Sequence, residues 1–200
     1  KGAFVVTGGL GGLGLLTART LAGCGVGTIV VLSRPGKVAY QGQGLEEDLR
    51  WLQEESGADV HVMKCDVSDE ASVVSTLAAV RALGCSITGL VHSAGVLRDG
   101  RLESGAAAAG CADVWSAKAT SARLLHKHTL EDELRFFITF SSIAAALGNP
   151  GQAAYAAANA YLEGLVQQRR IRGLSGTSIR WPAVSGVGMA AATGVASSQA

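Results

Sequence analysis

Short runs of apolar and β-branched residues alternate along the chain with longer stretches in which apolar residues recur at helical spacing. After the first run, Leu13, Leu16 and Leu21 fit one face of a helix, and after the third run Val73 and Leu77 do the same. The runs predict six strands, at residues 3–7, 28–32, 59–65, 87–92, 136–141 and 177–181. The alternation therefore predicts consecutive β-α-β units.

The strand candidates read as nearly continuous apolar segments. Strands of that kind are covered on both faces, and β-α-β crossovers place helices there. The sequence thus predicts an α/β fold, a Rossmann-like doubly wound parallel sheet with helices on both faces. Residues 35–44 are predicted to form a loop before a helix at 45–56, and residues 97–110 a second loop or short-helix region.

Composition and charge limit the partners that the chain can have. Its 200 residues, 48% apolar and 16% charged, are enough to bury one sizeable core. No apolar run reaches the roughly 18 residues that would span a bilayer. A net charge of +1 provides no general field for attracting nucleic acid. We therefore expect a soluble protein with neither a membrane nor a nucleic acid as partner.

The cysteines, the histidines and the first residues bear on the compartment and on metals. The four cysteines include no C-x-x-C pair, which favours a reducing compartment. His126 and His128 lie two residues apart, point to different faces of a predicted helix and make a poor metal pair, so no metal site is predicted. The chain enters a strand at once, without room for a targeting segment. A cytoplasmic location is expected, with a plastid as the alternative if a transit peptide was removed.

A glycine-rich segment directly follows the first predicted strand and leads into a helical pattern. Glycines allow a tight turn and a close approach of the backbone to a pyrophosphate, toward which the next helix points its N-terminal N–H groups. Gly9, Gly11 and Gly14 fit the G-x-G-x-x-G spacing in the required strand-turn-helix context, although a merely flexible turn stays an alternative. The predicted phosphate-binding residues are Thr7, Gly8, Gly9, Leu10, Gly11, Gly12, Leu13 and Gly14.

The end of the second strand indicates which dinucleotide is bound. An acidic residue about 20 positions beyond the glycines would bind a ribose 2′-hydroxyl. The chain instead has Ser33 and Arg34 there, and a guanidinium beside a hydroxyl suits a 2′-phosphate. NADPH is therefore the expected cofactor, with a solvated surface arginine as the alternative interpretation.

A candidate catalytic group follows the fifth strand. Ser142 lies at the end of that strand, where ligands bind in sheets of this kind. Tyr155 and Asn159 lie four residues apart on the next predicted helix, so their side chains project from the same face. A phenol with a pKa of about 10 exchanges protons poorly at neutral pH unless a cation stabilises its phenolate. A nearby lysine is therefore required.

These segments together resemble the short-chain dehydrogenase/reductase family over residues 1 to about 190. The residues that carry the resemblance are Thr7-Gly8-x-x-x-Gly12-x-Gly14, Cys65-Asp66-Val67, His92-Ser93-Ala94-Gly95-Val96, Ser142 and Tyr155. Most of that family has a lysine four residues after the tyrosine, where this chain has Asn159. Lysine and asparagine exchange places in the ketoreductase domains of modular polyketide synthases and animal fatty acid synthases. Lys118 matches the lysine of those domains.

The resemblance implies a role for each of the four catalytic candidates. Tyr155 would protonate the substrate carbonyl, and Ser142 would hydrogen-bond the same oxygen. Lys118 would lower the pKa of the tyrosine and contact the nicotinamide ribose, while Asn159 would hold the lysine and a water. Taken singly, Ser142 could be a strand-end cap, Lys118 a solvated helix residue and Asn159 a buried hydrogen-bonding group.

The resemblance also implies the topology and further cofactor contacts. The expected strand order is 3-2-1-4-5-6, with the last strand of the family truncated. Ketoreductases usually continue Trp-Gly after the sixth strand, but here Pro182 follows Trp181 and removes a backbone donor beside the nicotinamide. The further residues expected at the cofactor are Cys65, Asp66, Val67, Ser93, Ala94, Gly95 and Pro182.

The configuration of the product is expected from two positions. Ketoreductases that form the 3R alcohol usually carry Leu-Asp-Asp where this chain has Leu97, Arg98 and Asp99. Those that form the opposite alcohol usually have a tryptophan eight residues before the tyrosine, where this chain has Leu147. A 3R product is expected, with Leu97, Asp99 and Leu147 as the stereocontrol residues. Arg98 resembles the animal fatty acid synthase form and leaves the subclass open.

The sequence therefore predicts an NADPH-dependent ketoreductase that converts a 3-oxoacyl thioester to a 3-hydroxyacyl thioester. Its substrate would be tethered to the phosphopantetheine of an acyl carrier protein, with neighbouring synthase domains, including a structural subdomain, as further partners. The alternatives are a free-standing reductase of small ketones and a non-catalytic dinucleotide-binding scaffold. Residues 1–190 are expected to form the catalytic subdomain, and residues 191–200 a flexible tail or a truncated lid region.

Overall fold

The computed structural model describes residues 2–100 and 105–192. All six predicted strands are present, each within one residue of its predicted limits at either end: β1 Gly2–Thr7, β2 Thr28–Ser33, β3 Asp59–Lys64, β4 Ser86–His92, β5 Phe136–Ser142 and β6 Thr177–Trp181. They form one parallel sheet in the order β3-β2-β1-β4-β5-β6. The predicted strand order is therefore confirmed.

Helices lie between successive strands, as the helical spacing predicted, and one further helix follows β6. They are α1 Gly12–Gly23, α2 Leu45–Glu54, α3 Glu70–Arg81, α4 Gly105–Trp115, α5 Ser121–His128, α6 Ala144–Leu147, α7 Ala153–Ile171 and α8 Gly188–Ala192. A π-helical turn, Ser116–Thr120, joins α4 to α5. The predicted loop or short-helix region at 97–110 contains the start of α4, and residues 101–104 lie outside the described ranges. Of the predicted tail, residues 191–192 end α8, and residues 193–200 are not among those described.

The core consists of two apolar layers, one on each face of the sheet. In β1, Val5 packs with Val30 in one layer, and its neighbour Val6 packs with Val31 in the other. Successive side chains of a strand point to opposite faces, so both can be buried only if helices cover both faces. All four valines are fully buried. The predicted doubly wound architecture is thus confirmed.

The parallel arrangement brings the carboxyl ends of four strands to one edge of the sheet. Thr7, at the end of β1, is paired with His92 at the end of β4. Ser142, at the end of β5, is paired with Trp181 at the end of β6. Ligands of open parallel sheets bind at this edge. Within the described part of the chain, no helix is both long enough and apolar enough to cross a membrane.

Candidate active site

A cleft of about 870 Å³ runs along this edge of the sheet. The predicted residues that line it are Gly8, Leu10, Gly11, Gly12, Leu13, Gly14, Ser33, Arg34, Cys65, Asp66, Val67, Ser93, Ala94, Gly95, Leu97, Asp99, Lys118, Ser142, Leu147, Tyr155 and Pro182. Three predicted site residues do not line the cleft, because Thr7, Gly9 and Asn159 are buried behind its wall. The fold therefore brings the glycine-rich segment and the catalytic candidates to one cavity.

The glycine-rich loop has the form of an anion cradle. Gly8 has a φ of 64°, a left-handed conformation that favours glycine. A Cβ on Gly14 would lie 2.2 Å from the carbonyl oxygen of Gly8, so only glycine lets α1 begin this close to the loop. No side chain caps the N-terminus of α1 at Gly11. The N–H groups of the first helical turn lack partners within their own helix, and here they suit a pyrophosphate.

Arg34 and Asp66 come just after β2 and β3, and they line the end of the cleft that is farther from β5. The Asp66 carboxylate accepts hydrogen bonds from the Ser68 backbone N–H at 3.0 Å and from its hydroxyl at 2.6 Å. The Ser68 hydroxyl and, more weakly, the Arg34 charge hold the pKa of Asp66 below its usual value, although partial burial opposes them. Arg34 is exposed and forms no ion pair with any described carboxylate. Its guanidinium is thus available to a phosphate.

Lys118 lies in the π-helical turn and extends into the core of the site, where it is 3% exposed. Its ammonium Nζ donates to the Phe140 carbonyl oxygen at 2.9 Å and lies 5.4 Å from the centre of the Tyr155 ring. Burial lowers the pKa of Lys118 to about 8. A Cβ on Gly95 would come within 2.9 Å of the lysine Cε, so the glycine leaves room for the side chain.

Tyr155 and Ser142 both line the cleft, and the Ser142 side chain lies close to the Tyr155 phenol. Burial raises the pKa of the Tyr155 phenol, the neighbouring Asn159 and Ser142 side chains oppose that rise, and the Asp99 carboxylate adds to it. The Asn159 amide Nδ2 donates to the Tyr155 carbonyl oxygen at 2.9 Å. Its Oδ1 is buried without a hydrogen-bond partner, although buried polar atoms normally have one. The asparagine therefore keeps one acceptor for a group such as an ammonium or a water.

Two contacts that the sequence did not predict shape the rim of the cleft. The Gln152 side chain donates to the Asp99 carboxylate at 2.8 Å, and the Gly100 N–H donates to the Gly151 carbonyl oxygen at 2.9 Å. They join the loop after β4 to the loop before α7. Nothing in the spacing of these residues signals the pairing, since it joins segments that are far apart in the sequence. The predicted stereocontrol residue Leu147 also lines the cleft and is 81% exposed.

A third unpredicted contact lies at the end of the cleft that contains the glycine-rich loop. The Gly188 N–H donates to the Gln43 side-chain oxygen at 2.6 Å, and the Gln43 amide donates back to the Gly188 carbonyl oxygen at 3.4 Å. A Cβ on Gly12 would lie 2.4 Å from the nitrogen of Gly188, so the start of α8 rests on the start of α1. The segment after β6 therefore lies against the glycine-rich loop.

The side chains of the cleft include groups that can give a proton to a carbonyl oxygen. A phenol and a hydroxyl can both donate toward one oxygen, and a buried ammonium beside the phenol favours the phenolate that proton transfer leaves. The uncapped helix N-terminus at the other end suits the phosphates of a dinucleotide. Among the described residues, no group of three or more His, Cys, Asp or Glu side chains could hold a metal ion.

The chain is similar to known proteins in sequence and in fold. A sequence model of the KR domain matches residues 2–186. Polyketide synthase GfsA of Streptomyces halstedii is 40% identical over 190 residues, which cover 95% of this chain and 2% of that protein. The mycocerosic acid synthase-like polyketide synthase of Mycolicibacterium smegmatis is 38% identical over 197 residues, which cover 94% of this chain and 9% of that protein.

A solved structure described as A-type ketoreductases from a modular polyketide synthase superposes with a TM-score of 0.85. It is 38% identical, and the match covers 95% of this chain and 39% of that one. This chain thus spans a small part of the length of its curated relatives and less than half of that structure. By sequence and by fold, it belongs to the KR domain family, the ketoreductase domains of polyketide synthases.

Proposed function

We propose that the chain reduces a 3-oxoacyl thioester to a 3R-hydroxyacyl thioester, with NADPH as the reductant and the acyl group carried by the phosphopantetheine of an acyl carrier protein. Membership of the ketoreductase family supports the reaction class. One observation supports the assignment of the reacting groups above all others: the buried Lys118 ammonium lies 5.4 Å from the Tyr155 ring, inside the cleft that also holds the glycine-rich loop.

Tyr155 is the proposed proton donor to the 3-oxo oxygen. Its partly buried phenol stays neutral at physiological pH, so a proton is present to be given. The adjacent Lys118 ammonium stabilises the phenolate that remains, and this charge develops during the reaction rather than before it. The Ser142 hydroxyl donates to the same substrate oxygen as its negative charge grows. When bound, NADPH supplies the hydride.

Asn159 is proposed to support this group from behind. The hydrogen bond from its Nδ2 to the Tyr155 backbone carbonyl holds the side-chain amide against α7. Its buried Oδ1 can therefore accept a hydrogen bond from another donor. A water held there would link the Asn159 Oδ1 to the Lys118 ammonium. Protons could then pass along this link to restore the tyrosine hydroxyl after each reaction. The asparagine thus acts on the tyrosine and lysine rather than on the substrate.

The preference for NADPH rests on the end of β2. Arg34 lines the cleft without a carboxylate partner, and Ser33 lies beside it. A guanidinium donates several hydrogen bonds in a fixed fork that suits a phosphate. Arg34 would hold the 2′-phosphate, and the N-terminus of α1 would hold the pyrophosphate. Both positions fit the residues present, since neither donor set is already saturated by the protein.

The carrier protein and the synthase domains are proposed as partners because the relatives are large synthases, and this chain matches only 2% of the length of one of them and 9% of the other. Those named above come from bacteria, which have no plastids. A cytoplasmic setting is therefore proposed, and the plastid alternative has no support.

The proposed 3R configuration rests on Asp99 and Leu147 at the substrate end of the cleft. The Asp99 carboxylate is fixed by Gln152, which would let it direct the approach of the thioester arm. Leu147, which also lines the cleft, has a smaller side chain than the tryptophan of enzymes that form the opposite alcohol. Chiral analysis of the product tests this assignment, and a 3S alcohol would overturn it without affecting the reaction class.

The experiment that tests the function follows loss of NADPH absorbance with a 3-oxoacyl thioester, on pantetheine and on an acyl carrier protein. Tyr155→Phe removes only the hydroxyl and is expected to slow turnover about 10²- to 10⁴-fold, the usual contribution of a general acid. Tyr161→Phe is the matched control, because Tyr161 lies on the same helix but packs on Trp115, with ring centres 5.3 Å apart, outside the cleft.

Each outcome of that experiment is decisive. Equal rates for wild type and Tyr155→Phe would remove the tyrosine from the mechanism. Turnover of small ketones but of neither thioester would favour the free-standing reductase, and NADPH binding without oxidation by any substrate would favour the scaffold.

A further inference from the structure

We propose that His92 is a positioning residue for the reduction: it holds the main chain of Lys118 so that the ammonium reaches Tyr155. The catalytic consequence rests on the proposed function, whereas the positioning itself is a property of the protein without ligands. His92 ends β4 and is completely buried. It lies behind the lysine, outside the lining of the cleft.

The hydrogen bonds of His92 determine which ring nitrogen carries the proton. Nε2 lies 3.0 Å from the Lys118 carbonyl oxygen, which can only accept, so Nε2 must be the donor. Nδ1 is then the acceptor, and the Thr7 hydroxyl, at 2.8 Å, donates to it. Burial, together with the nearby Lys118 charge, lowers the pKa of His92 to about 3, so the ring is neutral and a single tautomer satisfies both contacts.

The partner of His92 is the carbonyl of a residue inside a π-helical turn. Such turns interrupt the regular hydrogen bonding of a helix and are common at functional sites. The Ser121 hydroxyl lies 3.1 Å from the same carbonyl oxygen and 3.1 Å from Nε2, and it also donates to the Ala117 carbonyl oxygen at 2.7 Å. The imidazole therefore anchors the turn from the side of the sheet, and the Ser121 hydroxyl secures it from the start of α5.

This anchor connects the two ends of the site. Thr7 immediately precedes the glycine-rich loop, and through His92 it is linked to the backbone of Lys118. The lysine then extends across the gap left by Gly95 to the Phe140 carbonyl oxygen. The lysine side chain has a limited reach, so a shift of the turn away from the sheet would withdraw the ammonium from the Phe140 carbonyl oxygen and from the tyrosine.

Other charged groups near the lysine and tyrosine are few in the described part of the site. Asp99, on the loop after β4, raises the pKa of Tyr155. Arg98 and Asp113 line the same cleft and pair with each other at 3.3 Å. None of them contacts His92, so a change at His92 that alters the titration of Lys118 acts through the position of the lysine.

The first measurement needs only the wild-type protein without ligands. Nitrogen-15 NMR of the imidazole distinguishes the two neutral tautomers. The structure requires a ring protonated at Nε2 that stays neutral from about pH 5 to 9, well above its pKa of about 3. A ring protonated at Nδ1, or one that titrates near pH 6.5, would overturn the proposal even if no variant could be made.

The second measurement titrates the Lys118 ammonium by NMR in variants of the ligand-free protein. In His92→Leu the turn loses its donor, and we expect the Lys118 pKa to rise from about 8 toward the ordinary value of 10.5 as the side chain reaches solvent. His92→Gln keeps an N–H donor and should restore the wild-type titration. Val91→Ala is the control, because it opens a cavity in the same strand without touching the turn.

Turnover gives a third comparison. We expect His92→Leu to slow the reaction roughly 10- to 100-fold with an unchanged KM, the order expected when a reacting group is displaced by about 1 Å. A folded His92→Leu protein with an unchanged Lys118 titration refutes the positioning role. If the wild type reduces no thioester while that titration still moves, the positioning stands and the proposed function fails.

Discussion

Replacement of Arg34 by alanine should remove most of the proposed preference for NADPH over NADH. Arg34 is an exposed side chain at the end of β2 that lines the cleft. Each hydrogen bond that it donates to a charged phosphate would contribute about 1.5–3 kcal/mol. Because solvent screens exposed charges, the lower end of that range applies, and about 1.5 kcal/mol corresponds to roughly a tenfold change in affinity.

The assay measures KM and kcat for NADPH and for NADH under the same conditions. In Arg34→Ala, KM for NADPH should rise roughly tenfold while KM for NADH and both kcat values stay nearly constant, since the guanidinium is far from the reacting atoms. Added salt should weaken the wild-type preference and leave the variant nearly unaffected.

Lys37 provides a matched control in the same loop. It is exposed and carries the same charge, but it does not line the cleft. Lys37→Ala therefore changes the net charge equally without removing a ligand of the phosphate. If Lys37→Ala lowers the preference as much as Arg34→Ala does, the effect is one of general charge, and a specific 2′-phosphate site at Arg34 is refuted.

Three further predictions concern the loop, the lysine and a helix cap. Gly14→Ala should lower the free energy of unfolding by about 1–3 kcal/mol and weaken cofactor binding, because the new Cβ would meet the Gly8 carbonyl. Unfolding by denaturant and a cofactor titration measure the two effects, and no change in either would contradict the prediction. The rate of reduction should fall as pH rises through about 8, where Lys118 loses its charge. Lys118→Arg keeps its charge at that pH and should abolish the fall. A wild-type rate that does not change up to pH 9 would exclude the role of the charge. Asp69→Ala should destabilise the protein by about 1 kcal/mol with no change in kcat, since the Asp69 carboxylate caps α3 by accepting from the Ser72 N–H at 2.7 Å; unaltered urea unfolding would refute the cap.

Burial of Lys118 also determines how stability depends on pH. Its pKa is about 8 in the folded protein and near 10.5 in the unfolded chain, so the unfolded chain binds more protons between those values. The free energy of unfolding therefore rises with pH between about 8 and 10.5. Below pH 8 the buried charge lowers the stability of the folded protein by its full amount. The lysine therefore lies in a position that lowers the stability of the protein, as expected of a group kept for function.

The strands, their parallel arrangement and the glycine-rich loop could all be predicted from the amino-acid sequence without a structure. The apolar runs match the strands within one residue because strand burial on both faces leaves a local signature. The glycines of the loop are equally local, since Gly8 needs a left-handed backbone and Gly14 a close approach to its own loop. Residues at the end of a strand or directly after it, such as Ser142 and Arg34, could be placed at the cleft for the same reason.

The way in which the side chains meet depends instead on the folded arrangement of the whole chain. The sequence pattern does not signal the π-helical turn that directs Lys118 inward, nor the hydrogen bonds that His92 makes to Thr7 and to the lysine backbone. The contact between Asp99 and Gln152 likewise joins two separate loops. Local periodicity reports which residues are buried, but contacts between distant segments depend on how the whole sheet and its helices pack. That packing sets the position of the ammonium beside the phenol.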